Sequence, residues 1–196
     1  MARYNHGEDI YQAALSLMAD KGYHATSIRD IVNRVGIRES SFYNHFVGKH
    51  ELLKRIVEDH FQIMDRFYYR KRNDELEDLD PVTYFTVIFE RSVKAWGDED
   101  ARRIHKILLD NKGLDPICHD HWKESEYLMR KRFSQDLKRM FSMGKIKPCD
   151  IDSYALILLT LYNNCLDKVC TNDCSWEKDG RNIFTTLRSL LSPLRF

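Results

Sequence analysis

Residues Thr26–Phe46, TSIRDIVNRVGIRESSFYNHF, read as two short helical patterns hinged on a single glycine. Ile28, Ile31, Val32 and Val35 recur at helical spacing in the first, and Ile37, Phe42 and Phe46 continue the apolar stripe through the second. Thr26 or Ser27 can cap the first helix, and Ser27 with Asp30 has the spacing of a capping box. Gly36 supplies the positive φ that a tight turn between crossed helices needs. Helices this short are not stable alone, so the stripe must pack on a neighbour. The helix expected near Glu8–Lys21, with Ile10, Ala13, Ala14, Leu17 and Met18 on one face, is that neighbour.

The polar residues of the pair are then left facing outward. Arg38 has the best chemistry for reading a base, because a guanidinium grips guanine O6 and N7 together. Ser40 and Ser41 are small enough for close approach, and Tyr43, Asn44 and His45 reach phosphates or thymine methyls. Thr26, Ser27 and Arg29 lie where the first helix of the pair would meet a DNA backbone. Lys49 would add its cation to the free N–H groups at the start of the next helix, a phosphate site. A solvated helical hairpin is the plainer alternative, and pattern alone leaves the two readings open.

Outside this stretch helical periodicity returns repeatedly. The patterns predict a helix from Lys49 to about Arg72, then helices near 81–96, 98–111, 116–143, 150–170 and 176–191. With four prolines, eight glycines and no alternating strand pattern, the chain reads as all-α, with about nine helices. The simplest division is a three-helix DNA-binding domain over residues 1–50 and a larger helical domain over 51–196, with helix 49–72 connecting the two.

A formal net charge of +1 over 196 residues means that nucleic-acid affinity has to come from local charge placement. Hydrophobic residues at 43% and charged residues at 31% fit a folded chain rather than a disordered one. The first residues, MARYNHGEDI, hold no apolar secretory segment, and no apolar run approaches the ~20 residues that span a bilayer. A cytoplasmic protein with no membrane partner is the expectation. Five irregularly spaced cysteines suggest free thiols.

The segment Ala13–Val57, AALSLMADKGYHATSIRDIVNRVGIRESSFYNHFVGKHELLKRIV, resembles the TetR family of bacterial transcriptional regulators. Gly22-Tyr23, Thr26-Ser27, Ile31-Val32, Gly36-Ile37, Tyr43-Asn44-His45-Phe46, Lys49 and Leu52-Leu53 carry the likeness at fixed offsets. The resemblance implies a helix-turn-helix domain with Thr26, Ser27, Tyr43, His45 and Lys49 on the phosphate side, and Arg29, Arg38, Glu39, Ser40 and Ser41 near bases. Arg38 stands where the pattern often has a Ser or Thr cap, and Ser40 where Gly is frequent, which puts the details of base contact in question. The implied partners are a double-stranded DNA operator, a second copy of the chain and a small-molecule effector.

In the larger domain the resemblance implies dimerisation through the last two long helices. Leu158, Leu159, Tyr162 and Leu166 on one, with Phe184, Leu187 and Leu191 on the other, are the candidate contacts. Tyr84, Phe85, Phe89, Trp96, Trp122, Tyr127 and Phe133 are the candidate pocket lining, although a packed core is the plainer reading of any one of them. Cys118, His119 and His121 are metal-competent, yet their spacing on a helix does not bring them together, and no metal or cofactor is expected. Cys165, Cys170 and Cys174 pose the same choice between redox sensing and inert burial. No phosphate loop, Gly-x-Ser-x-Gly or His-Glu-x-x-His occurs, so an enzyme is not expected. The resulting expectation is a homodimeric repressor released from a pseudopalindromic operator by an effector. The alternative is control by a protein partner or by thiol or metal chemistry.

Overall fold

The computed structural model of the chain describes residues 6–66, 76–171 and 176–194. Among the described residues there are nine α-helices, no strand, and a closing 3-10 turn. None of the described helices is long and apolar enough to cross a membrane. The expected run of the connecting helix from Phe67 to Arg72, and Cys174 in the last loop, lie outside the described residues.

Helix α1 spans His6–Lys21, with Glu8 and Asp9 in its first turn and Lys21 in its last, as the helix dipole favours. Helix α2 spans Ile28–Val35. Its capping box is formed: Ser27 Oγ accepts from the Asp30 N–H at 3.1 Å, and the Asp30 carboxylate accepts from the Ser27 N–H at 2.8 Å. Gly36 ends it in the left-handed region at φ 80°, donating to the Val32 carbonyl at 2.9 Å.

Helix α3 covers only Glu39–Phe42, shorter than the run to His45 that the sequence suggests. Arg38 at its N-cap makes no side-chain capping bond. At the other end the chain tightens into turns, with the His45 N–H donating to the Phe42 carbonyl at 2.9 Å. Helix α4, Lys49–Met64, opens with the Val47 N–H donating to the Glu51 carboxylate at 2.6 Å.

Helix α5, Pro81–Ala95, begins with proline at its first position and Asp80 as cap, accepting from the Val82 and Thr83 N–H groups. Helices α6 (Glu99–Asn111), α7 (Pro116–Ser142), α8 (Ile151–Cys170) and α9 (Trp176–Leu191) follow. All four lie within a residue or so of the bounds the periodicity predicts.

The chain forms two compact units. Residues Met1–Gln62 and Arg103–Trp122 make the first, and Ile63–Arg102 with Lys123–Phe196 the second. In the first, Ile10, Ala14, Leu15 and Met18 of α1 are buried with Ile31, Val32, Phe42, Phe46, Leu52, Leu53 and Ile56. Each large aliphatic or aromatic side chain removed from water contributes about 1.5–3 kcal/mol, which is how a one-turn helix is held. A second clamp ties α1 to α4: Arg55 bonds Glu8 at 2.6 Å and lies 3.8 Å over the Tyr11 ring, while the Tyr11 hydroxyl donates to Asp59.

The second unit is built around a core in which α5 packs on α8 and α9. This corrects the expected dimer contacts. Leu158, Leu159, Tyr162, Leu166, Leu187 and Leu191 are all buried inside the single chain, and of the seven only Phe184 is exposed. Four consecutive apolar residues, Leu156–Leu159, straddle both faces of α8, so periodicity marks the helix without deciding which side is inward. Leu156 and Ile157 are the outward pair.

Candidate nucleic-acid interface

The α2–α3 pair turns one set of side chains inward and another outward. Ile31 and Phe42 are fully buried, while Arg29, Arg38, Glu39, Ser40, Tyr43, Asn44 and His45 are exposed and Ser41 is half-buried. Tyr43 is held edge-on against the buried Phe42 ring at 5.4 Å, so its hydroxyl end projects from a fixed base. Val47, an apolar residue that belongs to no periodic stripe, is 86% exposed.

At the start of α2 the expected hydroxyls separate. Ser27 is exposed, with its side chain in the capping box. Lys21, 2.7 Å from Asp30, and then Ser27 hold the Asp30 carboxyl well below the usual carboxylate range. Thr26, expected on the phosphate side, is instead 1% exposed, and its hydroxyl donates to the Gly22 carbonyl at 2.8 Å.

Lys49 also departs from expectation. Its ammonium donates to the backbone carbonyls of Tyr23 at 2.7 Å and Thr26 at 2.9 Å, and it lies 4.3 Å from the centre of the Tyr23 ring. Partial burial lowers its pKa. In this geometry Lys49 fastens the α1–α2 turn to the start of α4, with its charge directed at carbonyl oxygens.

The seven residues expected to line an effector pocket do not form one lining. Tyr84, Phe85, Phe89, Trp96 and Phe133 are each at most 1% exposed and fill the core of the second unit. Phe85 meets Phe133 at 5.9 Å, and Tyr162 meets Phe89 at 5.7 Å and Phe133 at 5.8 Å, so the rings occupy one another's space. Tyr127 is 63% exposed. Trp122 belongs to the first unit, 5.4 Å from the His105 ring and beneath the Lys112 ammonium at 4.1 Å. A polar element of the second core is Asp136, 5% exposed and 3.2 Å from Arg132. Burial raises its pKa against the opposing pull of Arg132. A groove of about 560 Å³ in the first unit is lined by His6, Asp9, Gln12, Ser16, Arg34 and Arg103, and by none of the seven.

Cys118, His119 and His121 do not converge. Cys118 is buried, His119 is exposed with Nδ1 3.1 Å from the Lys112 carbonyl, and His121 turns to His60. Among the described residues no group of three or more His, Cys, Asp or Glu is arranged to hold a metal ion. Burial pushes the Cys118 and Cys170 thiols up to about 12.

Comparison with known proteins places these features in a family. Residues 10–56 match the family described as bacterial regulatory proteins, tetR family. The chain is 35% identical over 52 residues to the HTH-type transcriptional repressor KstR2 of Mycolicibacterium smegmatis, a match spanning 26% of this chain and a quarter of that protein's length. It is 25% identical over 146 residues to the biofilm operon icaADBC negative transcriptional regulator IcaR of Staphylococcus aureus strain Newman, covering 68% of this chain and 78% of the relative. Its fold matches that of SmeT, solved as a triclosan complex, with a TM-score of 0.72 and 20% identity over 97% of this chain and 91% of the other.

Proposed function

We propose that this chain, a member of the TetR family of bacterial regulatory proteins, is a DNA-binding transcriptional repressor that works as a homodimer and leaves its operator when a small-molecule effector binds. It acts by binding and is not an enzyme. Residues 1–50 form the DNA-binding domain and residues 51–196 the effector and dimerisation domain, joined through α4.

The observation that carries the DNA reading is the two-sidedness of α2–α3. Its apolar side is buried, with α2 packed on α1, while Arg29, Arg38, Ser40, Tyr43, Asn44 and His45 are exposed. Arg38 and Ser40 read base edges, and Ser27, Tyr43 and His45 meet phosphates. The test is a duplex selected from random-sequence DNA at a stated salt concentration. Arg38→Ala and Tyr43→Ala weaken binding to it by about tenfold or more each; unchanged affinity in both overturns the assignment.

Homodimerisation is supported by the exposed apolar residues Leu156 and Ile157 on α8 and Phe184 on α9. A two-fold dimer calls for a pseudopalindromic operator. Small-molecule control is supported by the shared fold with SmeT bound to triclosan and with a Saccharomonospora viridis regulator in complex with choline. The filled aromatic core favours a second reading, in which the chain answers to a protein partner. A ligand screen by thermal shift separates the two: a compound that raises the melting temperature and releases DNA supports the first.

A further inference from the structure

Away from the candidate DNA face, three buried histidines form a chain of imidazoles inside the first unit. His60 of α4 is the middle member. Its Nδ1 lies 2.9 Å from Nε2 of His121 on α7, and its Nε2 lies 3.2 Å from Nδ1 of His105 on α6. The His60 and His105 rings stack at 5.4 Å, and the His60 and His121 rings meet edge to face at 5.0 Å. Exposures of 3% for His60 and His105 and 8% for His121 put the whole chain in the interior. The contacts bridge 45 and 61 residues of sequence, so within the unit that carries α2 and α3 they tie together parts of three helices.

How firmly this tie holds depends on how many protons it carries. Three neutral imidazoles hold three protons on six nitrogens. Two of those protons fill the two contacts, pointing either way along the chain. A third ring proton remains at one end. Adding one proton preserves both contacts only by leaving a positive charge in the interior, which costs free energy. Adding two leaves a single bare nitrogen for two contacts, so one contact becomes N–H facing N–H and must open.

The charges that bear on His60 itself are those of its two ring partners. From α6 the titratable group facing His60 is His105. From α7 it is His121, with the neutral Cys118 thiol one turn earlier. On α4 itself, the neighbouring Asp59 accepts the Tyr11 hydroxyl of α1. Asp115, ahead of α7, accepts from the Ile117 N–H at 2.9 Å and lies 3.7 Å from His50. Trp122 sits against His105, and Lys112 lies on the Trp122 ring. Burial first, then the charges of His105 and His121, push the pKa of His60 well below the ordinary histidine value.

We propose that His105, His60 and His121 form a proton-operated latch: neutral, they lock α4, α6 and α7 together behind the helix-turn-helix, and acidification opens the lock and lowers affinity for DNA. The direction follows from linkage. The native chain keeps His60 neutral where the unfolded or opened chain would protonate it. The closed form therefore loses out as pH falls below about 6.5, by up to about tenfold per pH unit for each proton taken up. Positive charge gained on the exposed face acts in the opposite sense, because it faces phosphate. A loss of affinity in acid therefore points inward, to the latch.

The second half of this proposal rests on the DNA-binding reading above, and the first half does not. Imidazole nitrogen NMR of the full chain from pH 8 to pH 5 tests the latch alone. The expected result is two ring N–H···N couplings at pH 8, at least one of which is lost in acid, with His60 still neutral at a pH where a free imidazole is half protonated. A His60 signal titrating at the ordinary histidine value overturns the latch. Affinity for a duplex selected at pH 7.5 from random DNA, at constant ionic strength, tests the coupling. Wild type should lose at least tenfold between pH 7 and pH 5.5, and His60→Gln should flatten that loss while binding within a few-fold of wild type at pH 7.5. His105→Gln is the second variant, removing one contact if His60→Gln does not fold. Wild-type affinity that is flat or rises in acid, or an acid loss kept in full by folded variants, overturns the coupling. Failure to select any duplex at pH 7.5 overturns the DNA reading and the coupling, while the NMR result still decides the latch.

Discussion

The Lys49 ammonium lies 2.7 Å from the backbone carbonyl of Tyr23 and 4.3 Å from the centre of its ring. One cation at the start of α4 thus holds the turn that sets the entry of α2. Removing it leaves the carbonyls of Tyr23 and Thr26 without this donor, at a cost of about 1–3 kcal/mol. Lys49→Met should lower stability to chemical denaturation by that amount. The salt dependence separates this clamp from a phosphate contact. A lost phosphate contact would reduce the slope of log affinity against log salt by about one unit, whereas loss of the clamp leaves the slope unchanged and lowers affinity at every salt concentration.

The turn between α2 and α3 makes a second prediction. Gly36 sits at φ 80°, where a Cβ would meet no other atom within 4 Å. The cost of Gly36→Ala is therefore backbone strain alone, about 1–2 kcal/mol. Thermal unfolding should show that loss. Gly36→Asn, which tolerates the left-handed region better, should recover part of it. Equal losses for both would mean that something other than φ fixes this position.

How much of this was legible in the sequence follows from the range of each interaction. The Ser27–Asp30 capping box and the Gly36 stop are local, so spacing alone reveals them. The Lys49 clamp is not legible in the sequence, because its partners are main-chain carbonyls more than twenty residues earlier, which no side-chain pattern records. The His60 chain was invisible for the same reason, its members being scattered over α4, α6 and α7. Aromatic content could not separate core from pocket, since Tyr84 and Tyr127 look alike in sequence yet stand at 1% and 63% exposure.

The inside-out reading of α8 and α9 turns into a paired test. Leu187 is fully buried in the second core, whereas Ile157 is 46% and Phe184 38% exposed. Leu187→Ala should destabilise the fold by about 2–5 kcal/mol through the cavity it leaves. Ile157→Arg and Phe184→Arg should instead shift sedimentation from dimer toward monomer, leaving helix content unchanged. A dimer that survives both arginines would move the interface away from this face.

Thiol chemistry supplies the last prediction. Burial, with Asp115 beside Cys118 and Asp167 beside Cys170, pushes both thiols up to about 12. At pH 8 a group of that pKa is thiolate in only about one molecule in ten thousand, and the thiolate is the reactive form. Cys149 is half-buried with a smaller upward shift, caused by burial and then Asp150. In the folded chain iodoacetamide should therefore label Cys149 well before Cys118 or Cys170. Linkage fixes the alkaline behaviour. The unfolded thiols ionise near their ordinary value while the native ones stay neutral, so stability present below about pH 8.5 is lost as pH rises toward 12. Cys118→Ala should make that alkaline loss shallower. Rapid labelling of Cys118 in native buffer would show that α7 opens readily at its first turns, and would restore thiol chemistry as a candidate control on DNA binding.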